Sequence, residues 1–425
     1  MSSSVLFRRN FQILWMGQFV SICSLTVMVP LLPFYMTELG AVSIEDNRLW
    51  TGLALAAPAV MLGLFSPIWG RFGDRMGKKL MVVRALLGIA VSLGFMAVAQ
   101  TPLQFFLARL LQGVFGGVVD ATAAFAGSQA SEAKQGRVLG SLQSATAAGS
   151  LIGPLIGGTM ADLFGFQTLL WLVAAMTGLC GIGAVMLLQE PTAETKRNRD
   201  QPVNRSLLNA YGQLLGHQRV RNFLIAGMLA QFGVFGLVTI FAPHVEGMVG
   251  YGNYAATWVG ILQAVTWGAS VIGAPWWGRR NDRLRIEKNV CLAMTGCGLS
   301  ILLQSFPESV AWLIPLRIIQ GFCFAAVVQS IFLVVTKESK EEHRGMSIGV
   351  SNSFLVVGQI AGSLLSAAFG AFLTTEWAFV TIGISFFLGA VLLGTGTGTL
   401  QDAPAAFFKI LMMKWRMKDD KQTFS

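Results

Sequence analysis

The chain has 425 residues, of which 54% are hydrophobic and only 12% are charged. A soluble globular domain usually carries about 25% charged residues, so this composition excludes an ordinary soluble protein and indicates an integral membrane protein. The formal net charge is +10. Such a charge can indicate a nucleic-acid partner, but the positions of the basic residues, described below, argue against one.

Twelve apolar runs are long enough to cross a bilayer, whose hydrocarbon core takes about 20 helical residues. They lie near residues 11–33, 49–70, 79–99, 102–127, 137–160, 165–188, 222–244, 255–277, 289–306, 310–335, 346–372 and 376–398. The first run is too long for the core of a signal peptide and has no small-residue cleavage site behind it, so we expect it to stay in the mature protein. The sequence therefore predicts an all-α membrane protein with twelve transmembrane helices.

The basic residues alternate from loop to loop. Of the 31 Lys and Arg residues, 28 lie in the N-terminal segment, in or beside the connections from even to odd spans, or in the C-terminal segment, whereas the opposite connections contain only Arg48. This asymmetry follows the positive-inside rule with both termini in the cytoplasm. The charge therefore reports topology in a plasma membrane, namely the bacterial inner membrane, and no nucleic-acid partner is expected. The other two arginines, Arg109 and Arg317, fall inside predicted spans.

The reactive residue types form no recognisable site in the sequence. The five cysteines are scattered through the spans without metal-like spacing, and His217, His244 and His343 are far apart. Phosphate-binding, dinucleotide-binding, zinc and GxSxG motifs are all missing. We therefore expect no enzyme activity, no metal and no cofactor.

The second half of the chain repeats the first. PIWGRFGDR, from Pro67, returns as PWWGRRNDR, from Pro275, and RLLQG, from Arg109, returns as RIIQG, from Arg317, each 208 residues later. A duplicated six-helix unit with a substrate site between the copies is one architecture of secondary transporters. The repeat predicts two pseudo-symmetric six-helix bundles, 1–188 and 221–400, with a cytoplasmic linker at 189–220 and a cytoplasmic tail at 401–425.

Three motifs carry a resemblance to a known family that extends over essentially the whole chain. GRFGDRMGKK, residues 70–79, is similar to the loop between helices 2 and 3 of the major facilitator superfamily, and RLLQGVFGG, residues 109–117, resembles its helix 4 motif. GSLIGPLIGG, residues 149–158, resembles the helix 5 motif of the twelve-helix drug:proton antiporter branch. The resemblance implies a major facilitator fold and export of small molecules in exchange for protons.

The antiporter motif places glycines and a proline inside an apolar span. Gly149, Gly153 and Gly157 are spaced by four, so they form a smooth stripe that another helix can approach closely. Pro154 removes a backbone donor, which predicts a bend. The resemblance implies that this helix lies between the two halves and favours exchange over leak. Plain helix packing is the alternative.

The loop after predicted span 2 holds one acid among several bases. A short turn that includes Gly70 keeps Asp74 beside Arg75 at the cytoplasmic surface. The resemblance implies that Asp74 meets the N-terminus of predicted span 11, near Gly345, where the helix dipole favours a negative group, and so latches the cytoplasmic side shut. The expected weaker counterpart in the second half consists of Asp282 and Arg283. The alternative is that the basic residues serve only to set the membrane topology, which explains these bases but not Asp74.

Asp120 is the acid that lies deep inside a predicted span, and an ionisable residue at that depth is by default a functional candidate. Arg109 precedes it by 11 residues, which places both on one face of a continuous helix. We therefore expect Asp120 and Arg109 to take part in proton coupling, with structural salt bridges to other helices as the alternative. The better-known drug exporters of the family often carry an acid in helix 1, where this chain has none.

Polar and aromatic residues that interrupt the apolar spans are candidates for a substrate cavity. They are Gln18, Gln231, Phe235, Gln263, Trp267, Arg317, Gln329 and Asn352. Together they suggest a large amphipathic cavity, although any one of them can instead tie helices together. Two arginines against one aspartate inside the spans disfavour a strongly cationic substrate.

These features predict a secondary active transporter that exports amphiphilic small molecules, drugs or metabolites, in exchange for protons by alternating access. The main alternative is a dedicated exporter of an endogenous metabolite such as a siderophore, and a solute importer is a further one. A signalling or structural membrane protein has no long soluble domain to support it. The expected partners are the small-molecule substrate, protons and the lipid bilayer, and the protein is expected to be a monomer.

Overall fold

The computed structural model describes residues 3–129, 132–190, 216–250, 254–339, 344–370 and 374–395. Over these ranges the regular structure is helical, and twelve segments are long and apolar enough to cross a membrane. The predicted number of spans is therefore confirmed for the described part of the chain. Most of the predicted linker and all of the predicted tail lie outside the described residues.

The helices follow the predicted spans closely. Those of the first half are α1 (Ser3–Met28), α2 (Leu32–Glu38), α3 (Ile44–Met76), α4 (Lys78–Ala97), α5 (Pro102–Phe115), α6 (Val118–Gln129), α7 (Glu132–Phe164) and α8 (Phe166–Leu187). Those of the second half are α9 (Gln218–Val249), α10 (Ala255–Arg283), α11 (Ile286–Leu303), α12 (Leu313–Glu338), α13 (Arg344–Gly370) and α14 (Thr375–Thr395). One span consists of α1 and α2, and another consists of α5 and α6.

Local sequence explains several helix ends. The hydroxyl of Ser43 accepts the backbone N–H of Asp46 at the start of α3, and Asp46 and Glu45 place negative charge where the helix dipole favours it. Thr101 caps α5 in the same way, and Pro102 follows at the first helical position, where its missing N–H costs nothing. The ends of these spans are therefore set by capping residues as well as by hydropathy.

The fourth span is broken in its middle. Gly116 ends α5 and Gly117 has φ 91°, a left-handed conformation that strongly favours glycine. The chain resumes as a helix at Val118. The two parts of this span therefore do not share one helical register.

The sequence repeat reappears as a repeat of contacts. The indole N–H of Trp69 in α3 donates to the carbonyl of Val114 in α5 at 2.7 Å, and that of Trp277 in α10 donates to the carbonyl of Phe322 in α12 at 2.8 Å. Trp277 follows Trp69 by 208 residues, and Phe322 follows Val114 by the same number. The two halves therefore share their internal packing as well as their motifs.

The halves contact each other on the side of the bundle opposite Ser3, where α1 begins, and Thr395, where α14 ends. There, a Cβ added at Gly52 in α3 would meet the carbonyl oxygen of Ser363 in α13, and one added at Gly158 in α7 would meet that of Ala256 in α10. Backbones that approach this closely leave no room for side chains. We call this the opposite side, and we call the side where Ser3 and Thr395 lie the terminal side.

On the terminal side the facing helices are exposed. Leu64, Ile68 and Phe72 of α3 are 62%, 43% and 45% exposed, and most residues between 63 and 72 are exposed around the whole helix. Ile348, near the start of α13, is 38% exposed. If α3 packed against the other half here, its residues would be exposed only on the side that faces lipid. They are exposed all round, so a cleft opens here between the halves.

Candidate functional site

A small cavity lies among α9, α10 and α12, next to the end of the first span. Its volume is ≈ 40 Å³, which suffices for a few water molecules, since one water needs roughly 10–15 Å³. The lining residues are Pro30, Val234, Leu237, Val238, Phe241, Gln263, Thr266, Trp267, Ser270, Arg317, Gln320 and Phe324. The first half contributes Pro30, so the cavity lies at the junction of the two halves.

Three of the predicted cavity residues line this space, namely Gln263, Trp267 and Arg317. The others do not. Gln231 and Phe235 are half-buried elsewhere on α9, Gln329 is half-buried on α12, and Asn352 is exposed on α13. The large amphipathic cavity expected from the sequence stays a prediction.

Gln18, which was expected to line the cavity, does not line this space, and its amide is used in helix packing. Its nitrogen donates to the carbonyl of Leu142 at 3.0 Å and to the hydroxyl of Thr146 at 2.8 Å. Its oxygen accepts the hydroxyl of Thr122 at 2.6 Å. Gln18 is 1% exposed and ties α1 to α6 and α7.

Sequence reasoning missed four residues of the lining that bear on its chemistry, which are Phe241, Thr266, Ser270 and Gln320. A helical-periodicity signal was available for three of them. Thr266 and Ser270 lie within one turn of Gln263 and Trp267, and Gln320 lies three residues after Arg317, so all share faces with predicted residues.

Arg317 is the charged group of the cavity. It is 3% exposed, its Nη1 donates to Oε1 of Gln320 at 3.2 Å, and its guanidinium carbon lies 3.4 Å from the centre of the Phe241 ring. Its Nε has no hydrogen-bond partner, and the ion pairs of the described residues do not include it. A buried cation with an unused donor is costly, so it indicates a binding role.

Arg109, the repeat equivalent of Arg317, lies in a different environment. It is also 3% exposed, but its Nε donates to the carbonyl of Ala54 in α3 at 2.9 Å and its Nη1 donates to Oε1 of Gln112 at 2.6 Å. It does not line the cavity. Arg109 therefore ties α5 to α3.

The expectation that Asp120 and Arg109 share one helical face is wrong, because the break at Gly116 and Gly117 separates their helices. Asp120 lies in the first turn of α6, where the helix dipole favours a carboxylate. Its side chain is exposed. Asp120 is thus placed mid-span in the sequence but is accessible at the surface of its helix.

The glycines of the antiporter motif pack within their own half, which corrects the expected position of the stripe. A Cβ on Gly149 would lie 2.9 Å from the carbonyl oxygen of Phe19, and one on Gly157 would lie 2.9 Å from that of Val27, both in α1. Gly153 lies against Cys23 of the same helix. Residues spaced by four occupy a single face of α7, and the contacts of these glycines show that this face packs against α1.

The contact with the other half comes from the neighbouring face of α7. The carbonyl of Pro154 lies against Gly260 of α10, and Gly158 lies against Ala256. Oδ2 of Asp162 accepts the backbone N–H and the hydroxyl of Thr257, each at 2.6 Å. The expected position of this helix between the halves is therefore correct, through Pro154 and Gly158.

The residues predicted to form a latch are only partly described by the structure. Gly70 and Arg75 are exposed near the end of α3, whereas the side chain of Asp74 lies outside the described residues. In the second half Asp282 and Arg283 are exposed at the end of α10.

The turn that repeats this segment in the second half is stabilised by residues beside Asp282 and Arg283. Nε of Arg280 donates to Oδ1 of Asn289 at 2.9 Å, and Nδ2 of Asn289 donates to Oδ1 of Asn281 at 2.8 Å. Arg280 also lies over the Trp276 ring, with its guanidinium carbon 5.2 Å from the ring centre. Asp282 and Arg283 point to solvent, so the structural contacts of this turn come from their neighbours.

Metal ligands do not cluster in the described ranges, where no group of three or more His, Cys, Asp or Glu side chains could hold an ion. The five cysteines are unpaired thiols within the helices. The chemistry of the described site is therefore that of hydrogen bonds, one buried cation and apolar contact.

Comparison with known proteins identifies relatives over the full length. The sequence matches the Major Facilitator Superfamily over residues 14–299 and 255–406. It is 41% identical to the staphyloferrin B transporter of Staphylococcus aureus (strain NCTC 8325 / PS 47), over 98% of this chain and 99% of that protein. It is 28% identical to the multidrug resistance protein MdtG of Klebsiella pneumoniae (strain 342), over 89% of this chain and 92% of that protein.

Solved structures share the fold. The nucleoside transporter NupG superposes with a TM-score of 0.72 at 15% identity and covers 92% of this chain and 99% of its own. A bacterial homologue of the human lysosomal transporter Spinster has a TM-score of 0.70 at 13% identity, covering 94% and 97%. With twelve membrane-spanning helices, a repeated six-helix unit and these relatives, the chain belongs to the major facilitator superfamily and is a multi-pass membrane transporter.

Proposed function

We propose that this protein is a dedicated exporter of one endogenous metabolite, such as a siderophore. The observation that carries the proposal is the 41% identity over 98% of the chain to a transporter named for a single compound. Identity to the multidrug resistance relative is 28% over 89% of the chain. A buried arginine at the cavity supports an anionic or zwitterionic substrate over a strongly cationic one.

The transport cycle would be alternating access of the cavity between the two halves. Contacts between the halves gather on the opposite side, and a cleft opens on the terminal side. If the terminal side is cytoplasmic, as the basic residues favour, the substrate enters from the cytoplasm in this conformation. The protein would then work as a monomer in the bacterial inner membrane.

Protons would drive export by moving in the opposite direction. The GSLIGPLIGG motif supports exchange, and Asp120 is the candidate carrier because an ionisable group in a span is costly unless it functions. Arg109 would contribute by fixing α5 against α3 rather than by exchanging protons.

A deletion strain tests the function. Untargeted comparison of the growth medium from cells with and without the protein should reveal one compound, or one closely related set, that is depleted from the medium and accumulates inside the deleted cells. Re-expression should restore release. Unchanged medium would contradict dedicated export.

Orientation is tested separately by reporter fusions. A reporter after residue 200 or at the C-terminus should be cytoplasmic, and one near residue 44 should be external. An external C-terminus would contradict the proposed direction of substrate entry, since the cleft would then face the outside.

Multidrug export is the second candidate, favoured by the similarity to the multidrug resistance protein and by the apolar part of the cavity lining. A panel of unrelated toxic compounds separates the two. Loss of resistance to several of them in the deletion strain, without a change in released metabolites, would favour this candidate.

A further inference from the structure

The two arginines of the repeat have diverged in what their Nε atoms bind. Arg109 and Arg317 occupy equivalent positions 208 residues apart, each is 3% exposed, and each donates Nη1 to a glutamine three residues later. Nε of Arg109 has the carbonyl of Ala54 as its acceptor, whereas Nε of Arg317 has no partner. The hydrogen bond of Nε is therefore one difference between the two sites, and its cause lies in the facing helix.

Pro58 explains the acceptor of Arg109. It lies inside α3, and a proline has no N–H to donate to the carbonyl four residues earlier, which is that of Ala54. That carbonyl would otherwise be a buried acceptor without a donor. Arg109 supplies the missing hydrogen bond, so this arginine completes the backbone of α3.

Thr266 removes the same option from Arg317. It occupies the position equivalent to Pro58, 208 residues later, inside α10. Its backbone N–H is available to the carbonyl of Leu262 as in any α-helix, and its hydroxyl donates to the same carbonyl at 2.8 Å. The equivalent acceptor is therefore already occupied, and Nε of Arg317 is left for another partner.

The cavity offers Arg317 no negative charge of its own. Its described neighbours there are the Phe241 ring, the amide of Gln320, hydroxyls and apolar side chains. The hydroxyl of Ser270 already donates to the carbonyl of Gly321 at 2.7 Å. A buried guanidinium without a carboxylate partner is stabilised when an anion binds, and its planar fork matches a carboxylate.

We propose that Arg317 is the anion-binding residue of the transporter and takes a carboxylate, or a similarly compact anionic group, of the substrate. This rests on the proposed export function and narrows its substrate class to compounds with such a group. Arg109, whose Nε and Nη1 donate to protein acceptors, takes no part in substrate binding.

The test measures binding of succinate and of uncharged succinamide to the purified full-length protein at neutral pH, by the tryptophan fluorescence change that the Trp267→Phe variant lacks. Succinate should bind and succinamide should not. Arg317→Gln should weaken succinate binding by about tenfold or more, since removing one partner of a buried charge pair is strongly unfavourable. Arg317→Lys, which keeps the charge but not the fork, should bind with intermediate strength, and exposed Arg279→Gln should bind like the unmodified protein.

Equal binding of succinate and succinamide, no binding of succinate, or unchanged succinate binding by Arg317→Gln would overturn the inference. If Arg317→Gln does not fold, the test uses Arg317→Lys instead. Succinate binding by Arg317→Lys that is as strong as binding by the unmodified protein would then contradict the proposal. These measurements do not depend on transport. Unchanged medium from deleted cells would therefore refute the export function, while succinate binding still decides the role of Arg317.

Discussion

Asp162 of the first half caps a helix of the second half. Its Oδ2 accepts both the backbone N–H and the hydroxyl of Thr257, each at 2.6 Å, in the first turn of α10. The residue at the cap position of that helix, Tyr254, has a left-handed φ of 55° and makes no capping hydrogen bond with its side chain. The helix therefore obtains its N-terminal cap from the other half of the protein, only while the opposite side is closed.

Removal of this cap should favour opening of the opposite side. Asp162→Ala should shift the equilibrium by about 1 kcal/mol, or roughly fivefold, as for loss of a helix cap elsewhere. The distance between spin labels at the exposed positions Leu163 and Tyr254 measures this opening. Asp162→Ala should increase the population of molecules in which that distance is long. Asp46→Ala is the matched control, because it alters the cap of α3 within one half, and it should leave that distance unchanged. An unchanged distribution in Asp162→Ala would show that the cap does not contribute to closure.

The close approach of α7 and α10 should be sensitive to one methyl group. A Cβ at Gly158 would meet the carbonyl oxygen of Ala256 and lie 3.0 Å from the Cα of Thr257, whereas a Cβ at Gly183 in α8 has nothing within 4 Å. Gly158→Ala should therefore hold the opposite side open and reduce export of the metabolite. Gly183→Ala should keep export and gain about 0.5–1 kcal/mol of stability, because glycine is unfavourable inside a helix. Equal export by the two variants would contradict the tight contact.

The pairing of Arg109 with the carbonyl left free by Pro58 predicts a specific non-additivity. Arg109→Met alone should cost about 1–3 kcal/mol, because the buried carbonyl of Ala54 loses its donor. In a Pro58→Ala background the new backbone N–H donates to that carbonyl, so the same change should cost less by about 0.5 kcal/mol or more. Thermal stability of the four purified proteins measures this double-mutant cycle. Additive effects would mean that Arg109 stabilises the fold through Gln112 instead.

Much of the architecture was predictable because hydropathy and repetition are local or periodic signals. The twelve spans follow from apolar length, and the equivalence of Trp69 with Trp277 follows from the constant offset of 208. In the structure the spans are helices, and the two tryptophans make matching hydrogen bonds. Gln263, Trp267 and Arg317, which line the cavity, were candidates because polar and aromatic residues interrupt the apolar spans.

The wrong predictions concern which helices pack against each other and whether a helix is continuous. A single sequence does not specify either of these before the fold is known. The spacing of Gly149, Gly153 and Gly157 predicts close packing but not which helix approaches, and that helix proved to be α1. The joint face of Arg109 and Asp120 assumed an unbroken helix. The Gly116–Gly117 pair was the available warning, since adjacent glycines can take a left-handed turn at little cost.

Asp120→Asn tests whether the mid-span acid of α6 carries the exchanged proton. The amide resembles the protonated carboxyl and cannot release a proton, so proton-driven uphill export should be lost while binding and some downhill exchange of the metabolite persist. In inverted vesicles, addition of the metabolite identified from the medium should release protons from the lumen with the unmodified protein and not with Asp120→Asn. Exposed Asp282→Asn, at the end of α10, serves as the matched control for loss of one acid and should still release protons. If Asp120→Asn vesicles release protons with unchanged stoichiometry, Asp120 is a structural group at the start of α6, and Asp162 or Glu38 becomes the next candidate for the proton site.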